Sequence, residues 1–326
     1  MRILLTLDYE LFFGRKVGTP EASLVTASEK LIAVLDEFGW KAVFFVDATY
    51  LLRLKKLKAG SSILKADYEL VVDHIKSLEA RGHQIQLHLH PHWNDSNWTK
   101  DSWTLNTNRY RFSLWDKEAA SSLISESVQE LNSHLADKVT VYRAGGWCIQ
   151  PFSHISDALY REGVVTDSTV YRGGYSKSRT HRFDFREVPE EGPWRFEDDP
   201  CTVDNSGRFL EIPISSIEVS PIFYWKFATR RILRKDLKDK SFGDGVAIAK
   251  SKVDTLELLA RKSSTVVSID GYKASLLEKA FLQEYKRGAN YFVVIGHPKA
   301  LTNFSLGRVR RWLSAVKESG LYLETF

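Results

Sequence analysis

Four of the nine histidines fall in the run G-H-Q-I-Q-L-H-L-H-P-H that spans residues 82–92. Ile85, Leu87 and Leu89 alternate with Gln86, His88 and His90, the period of a half-buried strand. His88 and His90 then share the face opposite the apolar residues. Pro91 ends the strand and turns the chain, so that His92, four residues from His88, swings back toward it. Two neutral imidazoles brought together at a strand end make a natural pair of metal ligands. A histidine-rich polar loop is the plain alternative, but so tight a cluster closed by proline argues against it. His90 lies between the ligands as a third metal ligand, a substrate contact or, the favoured reading, a hydrogen-bonding neighbour of the ligands, and His83 reads as a structural residue at the strand start.

Other reactive side chains occupy equivalent places. Asp8 and Glu10 follow the apolar run Arg2–Leu7, Arg143 follows Val139–Tyr142, Asp167 follows Val164–Thr166, and His297 follows Tyr291–Ile295. Two residues apart in extended chain, Asp8 and Glu10 point to the same side. One carboxylate with two imidazoles forms an open three-ligand metal site that leaves room for water. The second carboxylate is then free to act as a base.

These residues converge only if their strands run parallel, because the carboxyl ends of parallel strands share one face. The pattern fits. Thr19-Pro20 opens a helix with the stripe Leu24, Ala27, Leu31, Leu35, Phe38, which stops at Gly39. A strand over 41–46, a helix over 67–81 and a strand over 83–89 follow. Asp116 caps a helix reaching about Leu135. Helices over 152–161, 246–259 and 276–287 alternate with extended runs at 209–214, 265–269 and 291–295. Such alternation specifies parallel strands with crossover helices, an α/β fold. Trp93–Trp115, rich in aromatic residues, and Glu187–Gly207 interrupt it and read as rim loops.

The 326 residues, 43% hydrophobic and 27% charged, suit a globular protein with a large core. A net charge of +5 gives no sign of nucleic-acid binding. Cys148 and Cys201 suggest no disulfide framework, and Cys148 reads as a buried thiol. The first residues do not resemble a signal peptide and no apolar run reaches membrane-spanning length, so a cytoplasmic location is expected. The segment 224–235 interleaves aromatic residues with Lys and Arg. It suits peripheral contact with an anionic membrane or a diphosphate, although a solvated helix face is the ordinary reading.

T-L-D-Y-E at 6–10, the histidine run at 82–92, Y-R-A-G-G-W at 142–147, T-D-S at 166–168 and I-G-H-P at 295–298 resemble, in this order, the five motifs of the polysaccharide deacetylase family. This is the NodB-homology group, carbohydrate esterase family four. The resemblance implies a distorted (β/α) barrel of about seven parallel strands. Residues 1–326 would form one catalytic domain with insertions near 93–115 and 187–207. It also implies metal-dependent removal of N- or O-acetyl groups from a sugar. By that resemblance Asp8 is the base, Glu10, His88 and His92 hold the metal, and Arg143 pairs with Asp8. Asp167 orients His297, the acid, which stands across the substrate from the base. Two positions depart from the family pattern: Tyr9 replaces a second aspartate, and Val170-Tyr171 stands where a tryptophan is expected.

The expected cofactor is a divalent metal, Zn2+ or another transition metal, which lowers the pKa of bound water from 15.7 to about 7. The expected substrate is an acetamido sugar, as a sugar nucleotide, lipid-linked sugar or glycan of surface-polysaccharide, O-antigen or capsule synthesis. Two rival readings are a glycoside hydrolase on a similar barrel, working with two carboxylates, and a sugar-binding protein without catalysis.

Overall fold

The computed structural model describes residues 1–233, 240–248 and 252–326. Its sheet is built from strands β1 (Arg2–Tyr9), β2 (Val43–Asp47), β3 (Gln84–Leu89), β4 (Val141–Ala144), β5 (Thr166–Asp167), β6 (Trp194–Phe196), β7 (Phe209–Glu211), β8 (Tyr291–Gly296) and β9 (Leu323–Glu324). The order across the sheet is β6-β7-β5-β4-β3-β2-β1-β8, with β9 also on β1. The seven strands from β7 to β8 are parallel, and β6 is antiparallel to β7. Beyond β8, residues 267–269 and Ser215 continue the hydrogen bonding, with Ile295 N–H on Val267 O at 3.0 Å and Ser215 N–H on Val293 O at 2.9 Å. The sheet therefore curls into a partial barrel, the expected fold class.

Alternation along the strands sorts their side chains onto two faces. Ile3, Leu5 and Leu7 of β1 join one large apolar cluster under the helices. Leu4 packs on the other face with Ile212 and Val293, and Val43, Phe45 and Val141 pack nearby. Phe326 closes on both of these smaller groups. Along β1 this inner face changes from Leu4 to Thr6 to Asp8. The interior is thus apolar at its base and polar at the carboxyl end.

Nine α-helices are described: α1 (Ala27–Asp36), α2 (Ala48–Leu57), α3 (Ser62–Ala80), α4 (Lys117–Asn132), α5 (Ser156–Arg161), α6 (Pro221–Leu233), α7 (Lys252–Ala260), α8 (Leu277–Arg287) and α9 (Asn303–Glu318). The Asp116 carboxylate caps α4, accepting from Ala119 N–H at 2.8 Å. Two helices were not expected. Asp47 is both the last residue of β2 and the cap of α2, so strand and helix abut without a loop signal. Helix α9 starts in a Thr302–Ser305 capping box.

The helix expected over 246–259 is shorter: Val246–Ala247 pairs with Gly14–Lys16, and α7 begins at Lys252. Residues 249–251 lie outside the described residues, as do Arg234 and Lys235 of the basic run. The segment 187–207 is more than a loop, because Trp194–Phe196 extends the sheet. The segment 93–115 carries a hairpin of Asn97–Thr99 with Ser102–Thr104. No described helix is long and apolar enough to cross a membrane.

Candidate active site

Asp8, His88, Arg143 and His297 stand at or just beyond the carboxyl ends of β1, β3, β4 and β8, and parallel register brings them together. His88 is level with Asp47 on one side and Arg143 on the other. Arg143 is buried, and its Nη1 donates to Asp8 Oδ1 at 2.8 Å and to Thr6 Oγ1 at 2.9 Å. Its Nε donates to Ser168 O at 2.7 Å, and the guanidinium lies 4.1 Å over the Phe45 ring. These contacts aim a fixed positive charge at Asp8.

Glu10 sits above them with its two oxygens in different company. Oε1 accepts from Lys299 Nζ at 2.8 Å, while Oε2 faces His88 Nε2 at 3.3 Å and makes a close contact with His90 Nε2. Burial would raise the Glu10 pKa, but the Lys299 ammonium, His90 and His88 hold it well below the usual carboxylate range. His88 Nδ1 faces the carbonyl of Arg143 at 2.8 Å, which can only accept. Nδ1 therefore carries the proton and Nε2 offers its lone pair toward Glu10, the arrangement of a metal-ligating histidine.

Glu10, His88 and His90 bring one ligand atom each within 4.8 Å of one another. Their chemistry suits a cation. His90 Nδ1 is buried without a hydrogen-bond partner, and its Nε2 meets Glu10 Oε2. Burial disfavours charge on His88, yet Asp8, Glu10 and Asp47 outweigh it and raise its pKa. A pocket that favours positive charge on His88 also attracts a metal ion.

His92 does not join this group. His88 and His90 share a strand face, whereas Pro91 starts a 3-10 turn that carries His92 past His90, still buried and with its ring 5.4 Å from the His90 ring. There it stacks between Trp93 and Tyr110 at ring separations of 5.2 and 5.3 Å, with Phe13 at its edge. The close approach beside His90 needs a glycine. A Cβ on Gly145 would fall 2.6 Å from His90 Nδ1 and from the Leu89 carbonyl.

Asp167 does not reach His297 either. It faces the barrel wall, where its oxygens accept from Thr169 N–H and Oγ1 at 2.9 and 2.8 Å. Glu211 is level with it on β7. Burial raises both pKa values; Asp167 adds to it and pushes Glu211 well above its ordinary value, whereas a hydrogen bond with Glu211 works to lower Asp167. The partner of His297 is Asp270, whose Oδ2 lies 2.7 Å from His297 Nδ1. Burial would lower the His297 pKa, but Asp270 above all, then Asp8 and Glu10, raises it. His297 Nε2 is 3.6 Å from Asp8 Oδ2 and 3.5 Å from Glu10 Oε1. Base and acid candidates are therefore neighbours, not groups separated by the width of a substrate.

Three participants escaped sequence reading. Asp270 follows the extended run 265–269 and carries the same strand-end signal as Asp8. Lys299 lies two residues beyond His297, where it is indistinguishable from a surface lysine. Asp47 accepts from Trp93 Nε1 at 2.7 Å and so anchors the turn that bears His92.

Residues 3–150, which carry Asp8, Glu10, the histidine run and Arg143, match the family model for polysaccharide deacetylases. Over that stretch the chain is similar to polysaccharide deacetylases. Three solved structures show similarity over nearly all of this chain. A polysaccharide deacetylase from Bacillus cereus is 12% identical, covering 100% of this chain and 91% of its own, with a TM-score of 0.44. A family 4 carbohydrate esterase from Streptomyces lividans in complex with acetate is 10% identical, covering 99% and 92%, with a TM-score of 0.41. A GH57 branching enzyme from Thermococcus kodakaraensis is 11% identical, covering 100% and 70%, with a TM-score of 0.48. At these identities none of them bears on the substrate. No curated protein matches significantly.

Proposed function

We propose that this protein removes an N-acetyl group from a sugar, with a divalent metal, zinc, held by Glu10, His88 and His90. The observation that carries this reading is the Asp8–His297–Glu10 triangle, in which His297 Nε2 lies 3.6 and 3.5 Å from the two carboxylates. A binding protein has no use for a carboxylate and an imidazole so placed, each oriented by its own buried partner. The bound metal would supply an acidified water and polarise the acetyl carbonyl.

The remaining work belongs to the chain. Arg143 fixes the position of Asp8, which would take a proton from the attacking water. Asp270 holds the proton of His297 on Nδ1, which leaves Nε2 to carry a second proton to the departing amine. Without it the amine would leave as a strongly basic anion. Because acid and base adjoin, both transfers would take place at one point. The scissile amide would enter beside the pair.

The substrate in this reading is an acetamido sugar on a diphosphate carrier, as in surface-polysaccharide assembly. Support comes from the basic segment after residue 224 and from aromatic residues on the rim. The test is acetate release from a panel of acetamido sugars, before and after chelation and with zinc restored. Release that stops with chelator and returns with zinc supports the proposal. Chelator-indifferent release of reducing sugar without acetate would replace it with glycoside hydrolysis.

A further inference from the structure

Tyr9 stands between Asp8 and Glu10 in the sequence, yet its side chain points away from theirs. It ends β1 on the opposite face, in the apolar cluster under the helices, and is 2% exposed. A buried phenol needs a partner for its hydroxyl, and here the partner is a histidine. The Tyr9 hydroxyl lies 2.8 Å from His74 Nδ1 of α3, with the two rings 5.6 Å apart.

This contact is the inner end of a chain of hydrogen bonds. His74 Nε2 faces Glu29 Oε1 of α1 at 3.2 Å, and Arg81 Nη1, just past α3, donates to both oxygens of Glu29 at 2.9 Å. A carboxylate paired with a guanidinium only accepts, so Nε2 carries the imidazole proton and Nδ1 accepts from the Tyr9 O–H. Burial, outweighing the pull of Glu29, holds the His74 pKa below its ordinary value and keeps the ring neutral. The hydroxyl is thus tied through two helices to an ion pair at the surface.

The tie falls where β1 is least held by its neighbours. On one edge its ladder with β8 ends at Leu7 opposite Gly296, whereas on the other its ladder with β2 runs on to Tyr9 opposite Val46. The last two residues of β1 are therefore paired on one edge only. Asp8 is one of them, and Glu10 follows directly.

We propose that Tyr9 and His74 are positioning residues: their hydrogen bond ties the half-paired end of β1 to α3 and so fixes where Asp8 and Glu10 stand. A satisfied core tyrosine is the plain alternative. It accounts for the buried hydroxyl but gives it no effect beyond stability. A tie at a half-paired strand end also acts on the groups that flank it. Its consequence for the metal rests on the proposed zinc site; the ordering of the strand end does not.

The test compares Tyr9→Phe and His74→Gln with Tyr68→Phe in the full-length protein. Tyr68, also buried on α3, donates to Glu130 of α4 at 2.7 Å. Its replacement deletes a similar hydrogen bond away from the site. All three variants should lower the melting temperature. Tyr9→Phe and His74→Gln alone should weaken zinc binding, by about ten-fold or more as the loss of a supporting contact does. They alone should also speed amide hydrogen exchange over residues 8–11. Zinc affinity or exchange altered no more than in Tyr68→Phe would overturn the proposal. A parent protein that binds no zinc would instead count against the metal site, and exchange over residues 8–11 would then decide the tie by itself.

Discussion

His297 is held twice by one carboxylate: Asp270 Oδ2 lies 2.7 Å from its Nδ1, and Asp270 Oδ1 accepts its backbone N–H at 2.8 Å. Ring position and tautomer are both set by a residue 27 positions earlier. Asp270→Asn should therefore lower kcat by about 10²–10⁴-fold, the range for a mispositioned general acid. Asp167→Asn should change kcat far less. Steady-state kinetics on the two variants checks this, and a larger loss in Asp167→Asn would reverse the assignment.

Lys299 donates to Glu10 Oε1 at 2.8 Å and to Leu11 O at 2.6 Å from a buried position. Lys299→Met leaves a buried carboxylate without its cation, which typically costs about 3–5 kcal/mol. A metal on Glu10 would offset that loss. Zinc should consequently raise the melting temperature of Lys299→Met more than that of the parent protein, as thermal shift with and without metal would show. An equal rise in both would mean that Lys299 does not support Glu10.

Gly145 makes room for His90 at one defined point. Gly145→Ala places a methyl 2.6 Å from His90 Nδ1 and the Leu89 carbonyl. It should cost about 1–3 kcal/mol by overpacking and displace His90, with a loss of metal content larger than the loss of fold. Gly60→Ala, where an added Cβ meets nothing within 4 Å and φ is not positive, is the control for adding a methyl without a clash. Normal metal content in Gly145→Ala would show that His90 is not a ligand.

The buried Asp167–Glu211 pair makes stability depend on pH. Both carboxyls have raised pKa values in the folded protein. Their contribution is therefore complete below the unfolded values near ~4 and is lost as pH rises through the folded values. Glu211→Gln removes one of the two titrations. Its melting temperature relative to the parent should rise between pH 5 and pH 8, by roughly 2–4 °C. A relative melting temperature that falls over this range would mean that the pair is not protonated.

Much of this arrangement was legible before any coordinates. Apolar runs ending in Asp8, Arg143 and His297 located the carboxyl-end face, because a polar residue after a buried parallel strand has few other places to go. Alternation also put His88 and His90 on one side, but four-residue spacing drew the ligand assignment to His92. Pro91 was read as folding His92 inward, whereas the 3-10 turn it starts carries the ring past His90 to Trp93 and Tyr110. Asp167 and Asp270 both follow strand-like runs. Only tertiary register shows that the first faces Glu211 and the second His297. Lys299 is a similar case, since its burial depends on an approach of strands 289 residues apart in sequence.

In the proposed reaction Glu10, His88 and His90, not His92, hold the metal. The most direct measurement is zinc bound per chain, with acetate released, for the parent protein, His90→Gln and His92→Gln. The account predicts that His92→Gln keeps its zinc and most of its acetate release, while His90→Gln loses both. Zinc retained in His90→Gln and lost in His92→Gln would contradict it.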